Sequence, residues 1–268
     1  MKVLALDFDG VIFDSSREAF TVALRTYASI EPTARLAGHR LVRETSGCLE
    51  AFGFDEDTVY RRFMDLVPLG NRAEDFGVCL EVIEGDGQVT NQEQYDRAFA
   101  EHAPEWLSHF HESFYRQRRR LRTNDPSSWR SLQRPYTSFT SLLERQAGRV
   151  PLAIVTARDE ASVHDLLAAY GYAALFKNGR IYDKDLGASK SAHLERLSRD
   201  LSVPLRQITF VDDKLNHLRS VQALGVRGVL AGWGHNTPRE HREAERAAFP
   251  VANLANVEEL LFGPADRR

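Results

Sequence analysis

The chain has 268 residues, 35 basic and 38 acidic side chains, a net charge of −3 and 43% hydrophobic content. That length suits one large or two modest domains, and the charge balance gives no pull toward nucleic acid or an anionic membrane. Two cysteines, Cys48 and Cys79, form no CxxC pair and no disulfide framework, so reduced core thiols of a cytoplasmic protein are expected.

Met1–Asp14, MKVLALDFDGVIFD, organises the rest. Val3–Leu6 is a short apolar run and predicts a buried strand. It is too short for a secretory leader and is interrupted by Asp7 and Asp9. Because a strand alternates faces, Asp7 and Asp9 point to one side. Gly10 then permits a tight turn or a close backbone approach. Two carboxylates held that close need a cation, a shared proton or a perturbed pKa, and a hard oxygen-seeking ion such as Mg2+ fits best.

After Asp14, with Ser15 or Ser16 as the cap, Arg17–Ile30 predicts a helix with Phe20, Leu24 and Tyr27 on one face. The helical pattern continues to residue 134, through Val59, Phe63 and Leu66, then Phe110, Phe114 and Leu121. No stretch approaches the roughly 20 apolar residues that span a bilayer. The expected organisation is an α/β core from residues 1–15 and 135–268, with a helical domain over 16–134 inserted after the first strand. Pro135 marks the return, and a short helix follows that carries Phe139, Leu142 and Leu143 and ends at Gly148. Pro151–Val155 predicts a second buried strand, running into Thr156, Ala157 and Arg158.

Glu160–Tyr170 reads as a helix, and Leu175–Phe176 with Gly179–Tyr182 as a short strand and a turn. Lys190 follows Gly187, Ala188 and Ser189 and opens the helix Ser191–Leu201. Ile208–Val211 is a third strand, ending in Asp212 and Asp213. Leu215–Leu224 predicts a helix closed by Gly225, Val226–Leu230 a strand, and the tail two further helices. Strands alternating with helices after residue 135 imply a parallel, doubly wound sheet. In such a sheet the polar strand ends share one edge, so Asp7, Asp9, Thr156, Lys190, Asp212 and Asp213 can converge.

LDFDGVIFDS, IVTAR, the lysine of GASKS and ITFVDDKLNHL occur in this order. With them the chain resembles the haloacid dehalogenase-like hydrolases. The resemblance covers the first 15 residues and most of 135–262. It implies a Rossmann-like core with a cap domain, the long helical insert being similar to the family's helical caps. It also implies that Asp7 is a nucleophile toward phosphorus and that Asp9 is the acid and base. Thr156 would bind a phosphoryl oxygen, and Lys190 would steady Asp7. Mg2+ would sit on Asp7, the Asp9 carbonyl and Asp213, with Asp212 either touching the ion or supporting a ligand. Gly10, Ala157 and Arg158 lie at the same edge and are expected to line the substrate.

Four features depart from the family pattern. Ser191 follows the lysine where proline is common, Asp-Asp replaces Gly-Asp, and His217 stands where many relatives carry an acid. Pro135–Ser138 replaces the usual Gly-rich turn, and Asn216 is a candidate substitute ligand. An acid at position 9 favours phosphoryl chemistry, since a leaving halide needs no proton.

The expected function is a Mg2+-dependent phosphatase acting on a small phosphorylated metabolite. A phosphoglucomutase-like phosphotransferase and a non-catalytic binding protein are the alternatives. In the insert, Asn71 and Arg72 are candidate substrate contacts. Arg116, Arg118, Arg119, Arg120 and Arg122 read as a solvated helix face, and His102, His109 and His111 as core or surface residues rather than a metal site.

Overall fold

The computed structural model describes residues 1–43, 49, 51–70, 72–176, 180–187 and 189–263. Cys48, Asn71, Gly179 and Ala188, used above, lie outside the described residues. The chain divides into two compact units, Met1–Asp14 with Pro135–Arg268, and Ser15–Arg134.

The first unit is built on a parallel sheet. Its strands are β1 (Val3–Leu6), β4 (Leu152–Val155), β5 (Ile181–Tyr182), β6 (Ile208–Asp212), β7 (Arg227–Ala231) and β8 (Val251–Ala252), in the spatial order β5-β4-β1-β6-β7-β8. Two further short strands, β2 (Phe13–Asp14) and β3 (Arg134–Pro135), pair with each other where the chain leaves and re-enters this unit. Every residue of β1, β4 and β6 is buried, which is why these strands read as unbroken apolar runs. Leu4 pairs with Leu152 on one side and Thr209 on the other, so β1 is central. The chain builds outward through β4 and β5, then returns to place β6 against β1. That reversal between β1 and β6 opens a crevice at the strand C-termini.

Side-chain alternation sends Val3 and Ala5 into a cluster with Ala153, Val155, Ile208 and Phe210. Leu194, Leu197, Leu215 and Leu218 cover this face at helical spacing. They come from α10 (Lys190–Leu201) and α11 (Leu215–Val221); the other helices of the unit are α8 (Thr137–Gln146), α9 (Glu160–Ala169), α12 (Pro238–Arg246) and α13 (Val257–Phe262).

Element boundaries differ from the sequence reading at several points, by a residue at most strand and helix ends. The last turn before Gly225, Gln222–Leu224, tightens to a 3-10 turn, and Gly225 follows in the left-handed conformation at φ 73°. The strand after it is shifted by one residue, to Arg227–Ala231. Leu175 belongs to a 3-10 turn, Ala173–Leu175, instead of a strand.

The second unit contains α1 (Ser16–Ile30), α2 (Arg40–Arg43), α3 (Thr58–Leu66), α4 (Ala73–Glu84), α5 (Gln92–Ala100), α6 (Pro104–Asn124) and α7 (Pro126–Ser131). Phe20, Leu24, Tyr27, Phe63, Leu66, Phe110 and Phe114 are all buried. No helix among the described residues is long and apolar enough to cross a membrane.

The arginine run corrects the sequence reading at one position. Arg119 and Arg120 are exposed, but Arg118 is buried. Its Nε and Nη2 donate to the two carboxylate oxygens of buried Glu18 at 2.7 and 2.8 Å, and the indole N–H of Trp129 donates to Glu18 at 3.1 Å. Helical spacing around residues 116–122 hid this, because the run covers more than one face and only packing shows which arginine points inward. His111 bonds Glu74 at 2.7 Å, and His102 stacks on Trp106.

Removing one member of a buried ion pair strands the other charge. Arg118→Met is expected to destabilise the protein by roughly 3–5 kcal/mol in urea unfolding. Glu18→Gln combined with Arg118→Met should cost less than the sum of the two single changes. An unchanged midpoint for Arg118→Met would overturn this reading.

Candidate active site

Asp7 is the first residue past β1, and its N–H donates to the Val211 carbonyl of β6 at 2.9 Å. Thr156 is the first residue past β4, tied to the Tyr182 carbonyl at 2.9 Å. Asp212 ends β6 and Asp213 follows it. The parallel registers bring these ends to one edge, and all four residues are buried.

Lys190 sits at the first position of α10, capped by the Ser189 side chain, which accepts from the Ala192 N–H. A cation there opposes the helix dipole, so it needs compensation from elsewhere. The buried ammonium lies 2.9 Å from Asp7 Oδ1 and 3.2 Å from Asp212 Oδ2, and donates to the Val155 carbonyl at 2.7 Å. Burial alone would lower its pKa, but the Asp212 and Asp7 carboxylates outweigh burial and the net direction is upward.

Asp212 is held on several sides. Its Oδ1 accepts the Lys214 N–H at 2.8 Å, and His217 Nδ1 lies 3.0 and 2.9 Å from its two oxygens. Burial pushes its pKa up, but His217 and Lys190 more than reverse this and hold it below the usual carboxylate range. Asp7 behaves in the opposite way. Burial pushes its carboxyl well above the usual range; Lys190 opposes this, while Asp212, Asp213 and Asp9 add to it. The Phe8 N–H and Lys190 both act on Asp7 Oδ1, the former at 2.7 Å, and no donor to Oδ2 is present among the described residues.

Asp213 is wedged between two glycines. A Cβ on Gly10 would stand 2.1 Å from Asp213 Oδ2, and one on Gly234 2.3 Å from the Asp213 Cβ. Gly10 also has φ 76°, a conformation that resists any side chain. Asp213 Oδ2 accepts the His235 N–H at 2.7 Å. The His235 ring lies 3.2 Å from Asp14, and Lys214 Nζ donates to the His235 carbonyl at 3.0 Å.

Arg158 and Ala157 part company: Ala157 is exposed, whereas Arg158 is buried. The Arg158 N–H donates to Thr156 Oγ1 at 3.1 Å, and its guanidinium binds the Asp9 carboxylate, Nη2 to Oδ1 at 2.8 Å. The sequence reading had turned this arginine toward substrate.

The donor set suits a divalent ion. Asp7, Asp212 and His217 offer ligand atoms within 4.8 Å of one another. Burial pushes Asp7 up first, and Asp212, Asp213 and Asp9 add to it against Lys190, so carboxylate oxygens, the donors that hard cations prefer, gather at this edge.

The profile of the haloacid dehalogenase-like hydrolases matches residues 1–225. The chain belongs to that family. Among solved structures, it is similar to a predicted phosphoglycolate phosphatase from Haemophilus somnus 129pt, 16% identical with a TM-score of 0.61 over 97% of both chains. It is similar also to a haloacid dehalogenase-like family protein from Streptococcus pneumoniae, 13% identical with a TM-score of 0.62, covering 97% of this chain and 98% of the other. At these identities the likeness shows a shared fold. A curated oxaloacetate decarboxylase from Pseudomonas fluorescens (strain SBW25) is 41% identical over 49 residues, 18% of this chain and 17% of that protein. The chain thus spans under a fifth of that relative.

Sequence reasoning missed His235 and Lys214. Both sit at the active edge of the sheet, His235 directly after the Gly232-Trp233-Gly234 turn that ends β7. The clue was positional: a polar residue following a predicted buried strand, as at Thr156.

Gly10→Ala is expected to cost more than about 1 kcal/mol through its backbone alone, and further through the collision with Asp213. Adding Asp213→Ala removes that collision and should restore part of the lost thermal stability. A double variant no more stable than Gly10→Ala would show that Asp213 does not press on residue 10.

Proposed function

We propose that this hydrolase is a Mg2+-dependent phosphatase that cleaves a small phosphorylated metabolite through an aspartyl-phosphate. The observation that carries this is a buried aspartate, Asp7, with one oxygen fixed by Lys190 and the Phe8 N–H, and a second acid two residues on.

Asp7 Oδ2 attacks phosphorus, and the ester P–O bond breaks. Asp9 gives its proton to the departing oxygen. Water then attacks the phosphorus, Asp9 takes the proton, the P–O bond to Asp7 breaks and inorganic phosphate leaves. Lys190 keeps its charge beside Asp7 throughout and offsets negative charge gathering on the transferred group. Thr156 supplies a hydroxyl to a phosphoryl oxygen, and the exposed Ala157 lies beside it. Asp7, the Asp9 carbonyl and Asp213 would hold the ion, with Asp212 supporting them. That ion supplies the positive charge without which one anion would not approach another. Residues 16–134 are the cap that selects the substrate.

The test is hydrolysis of p-nitrophenyl phosphate with Mg2+, with EDTA, and by Asp7→Asn. Phosphate release should require Mg2+ and fall on the order of 10⁴-fold or more in Asp7→Asn. Absence of hydrolysis together with absence of Mg2+ binding in calorimetry would overturn the proposal in favour of a non-catalytic binding protein. Consumption of ester without release of inorganic phosphate would instead identify a phosphotransferase.

A further inference from the structure

Arg158 is spent inside the protein in a way that the phosphatase steps do not use. Its side chain is 1% exposed, while that of Asp9 is 33% exposed. Nε stands 3.0 and 3.1 Å from the two Asp9 oxygens, and Nη2 stands 2.8 Å from Oδ1. The guanidinium thus grips the carboxylate as a planar fork rather than as a point charge. The Phe8 ring lies 5.7 Å below it, and its own backbone is tied to Thr156.

Asp9, by contrast, rides on a turn. The Phe8 carbonyl accepts from Ile12 and Phe13, each at 3.0 Å, and the Gly10 N–H donates to the Phe13 carbonyl at 2.7 Å. These bonds shape the backbone but leave the Asp9 side chain to be fixed by something else. Arg158, anchored just past the end of a different strand, is a rigid partner for it.

We infer that Arg158 is a positioning residue that holds the Asp9 carboxyl group where it can pass a proton to the leaving oxygen, and is not a substrate-phosphate ligand. The inference rests on the phosphatase reading, in which Asp9 is the general acid. Proton transfer needs the acid within hydrogen-bond reach of the leaving oxygen, so a carboxyl group free to rotate loses most of its effect.

The test compares kcat/KM for p-nitrophenyl phosphate with that for phenyl phosphate. The nitrophenolate leaves without a proton, whereas the phenolate benefits from one, and the two esters share a shape. Asp9→Asn should lose roughly tenfold or more beyond its nitrophenyl loss on phenyl phosphate. Arg158→Met should show the same selective loss, and Asp9→Asn with Arg158→Met should be no worse than Asp9→Asn alone. Arg158→Lys keeps the charge without the fork and should still show the selective loss, so it carries the test if Arg158→Met does not fold.

Equal losses on both esters, a change confined to KM, or multiplying losses in the double variant would overturn the inference. A selective loss in Asp9→Asn without one in Arg158→Met or Arg158→Lys would sink this inference alone. No selective loss in Asp9→Asn would sink the general-acid reading beneath it.

Discussion

The active edge of this molecule depends on one buried ammonium. Lys190 lies between Asp7 and Asp212, the carboxylates at the ends of two neighbouring strands. Without a cation between them, two buried like charges would repel in a medium that screens little. Lys190 stands at a helix start, where the dipole disfavours it, so the carboxylates hold the lysine as much as it holds them. This mutual dependence ties β1, β6 and α10 together at the point where the sheet reverses its order.

Around that pair the charges are unevenly settled. Asp212 is enclosed by Lys190, His217 and the Lys214 N–H. His217 Nδ1 meets Asp212 Oδ2 at 2.9 Å, which is consistent with the supporting part proposed for Asp212. Asp7 is pushed the other way, first by burial and then by Asp212, Asp213 and Asp9, with Lys190 opposing. Stabilisation is thus withheld at the carboxylate given the nucleophile's part, the usual pattern where a buried charge exists for chemistry rather than for folding.

The helical unit settles a buried charge differently. Glu18 receives both arms of Arg118 and the indole N–H of Trp129, so its carboxylate is matched by three donors. Asp9 and Arg158 form a third arrangement, with a buried guanidinium steadying a carboxylate that reaches solvent. In that pair the cation is far more buried than the carboxylate and is the fixed member.

The sequence by itself determined the parallel α/β core. Unbroken apolar runs of four or five residues, each followed by a polar residue, have few other uses in a chain with helical patterns between them. The same logic brought Asp7, Thr156, Lys190 and Asp212 to one edge, because strand ends in a parallel sheet are neighbours whatever the loops do. Only the tertiary structure decided the pairings. Arg158 lies 149 positions from Asp9, Arg118 lies 100 from Glu18, and His235 lies 22 from Asp213. Periodicity reports which face of its own element a side chain occupies. It carries no record of what a distant element brings against that face, and that second half of each contact exists only once the chain has packed.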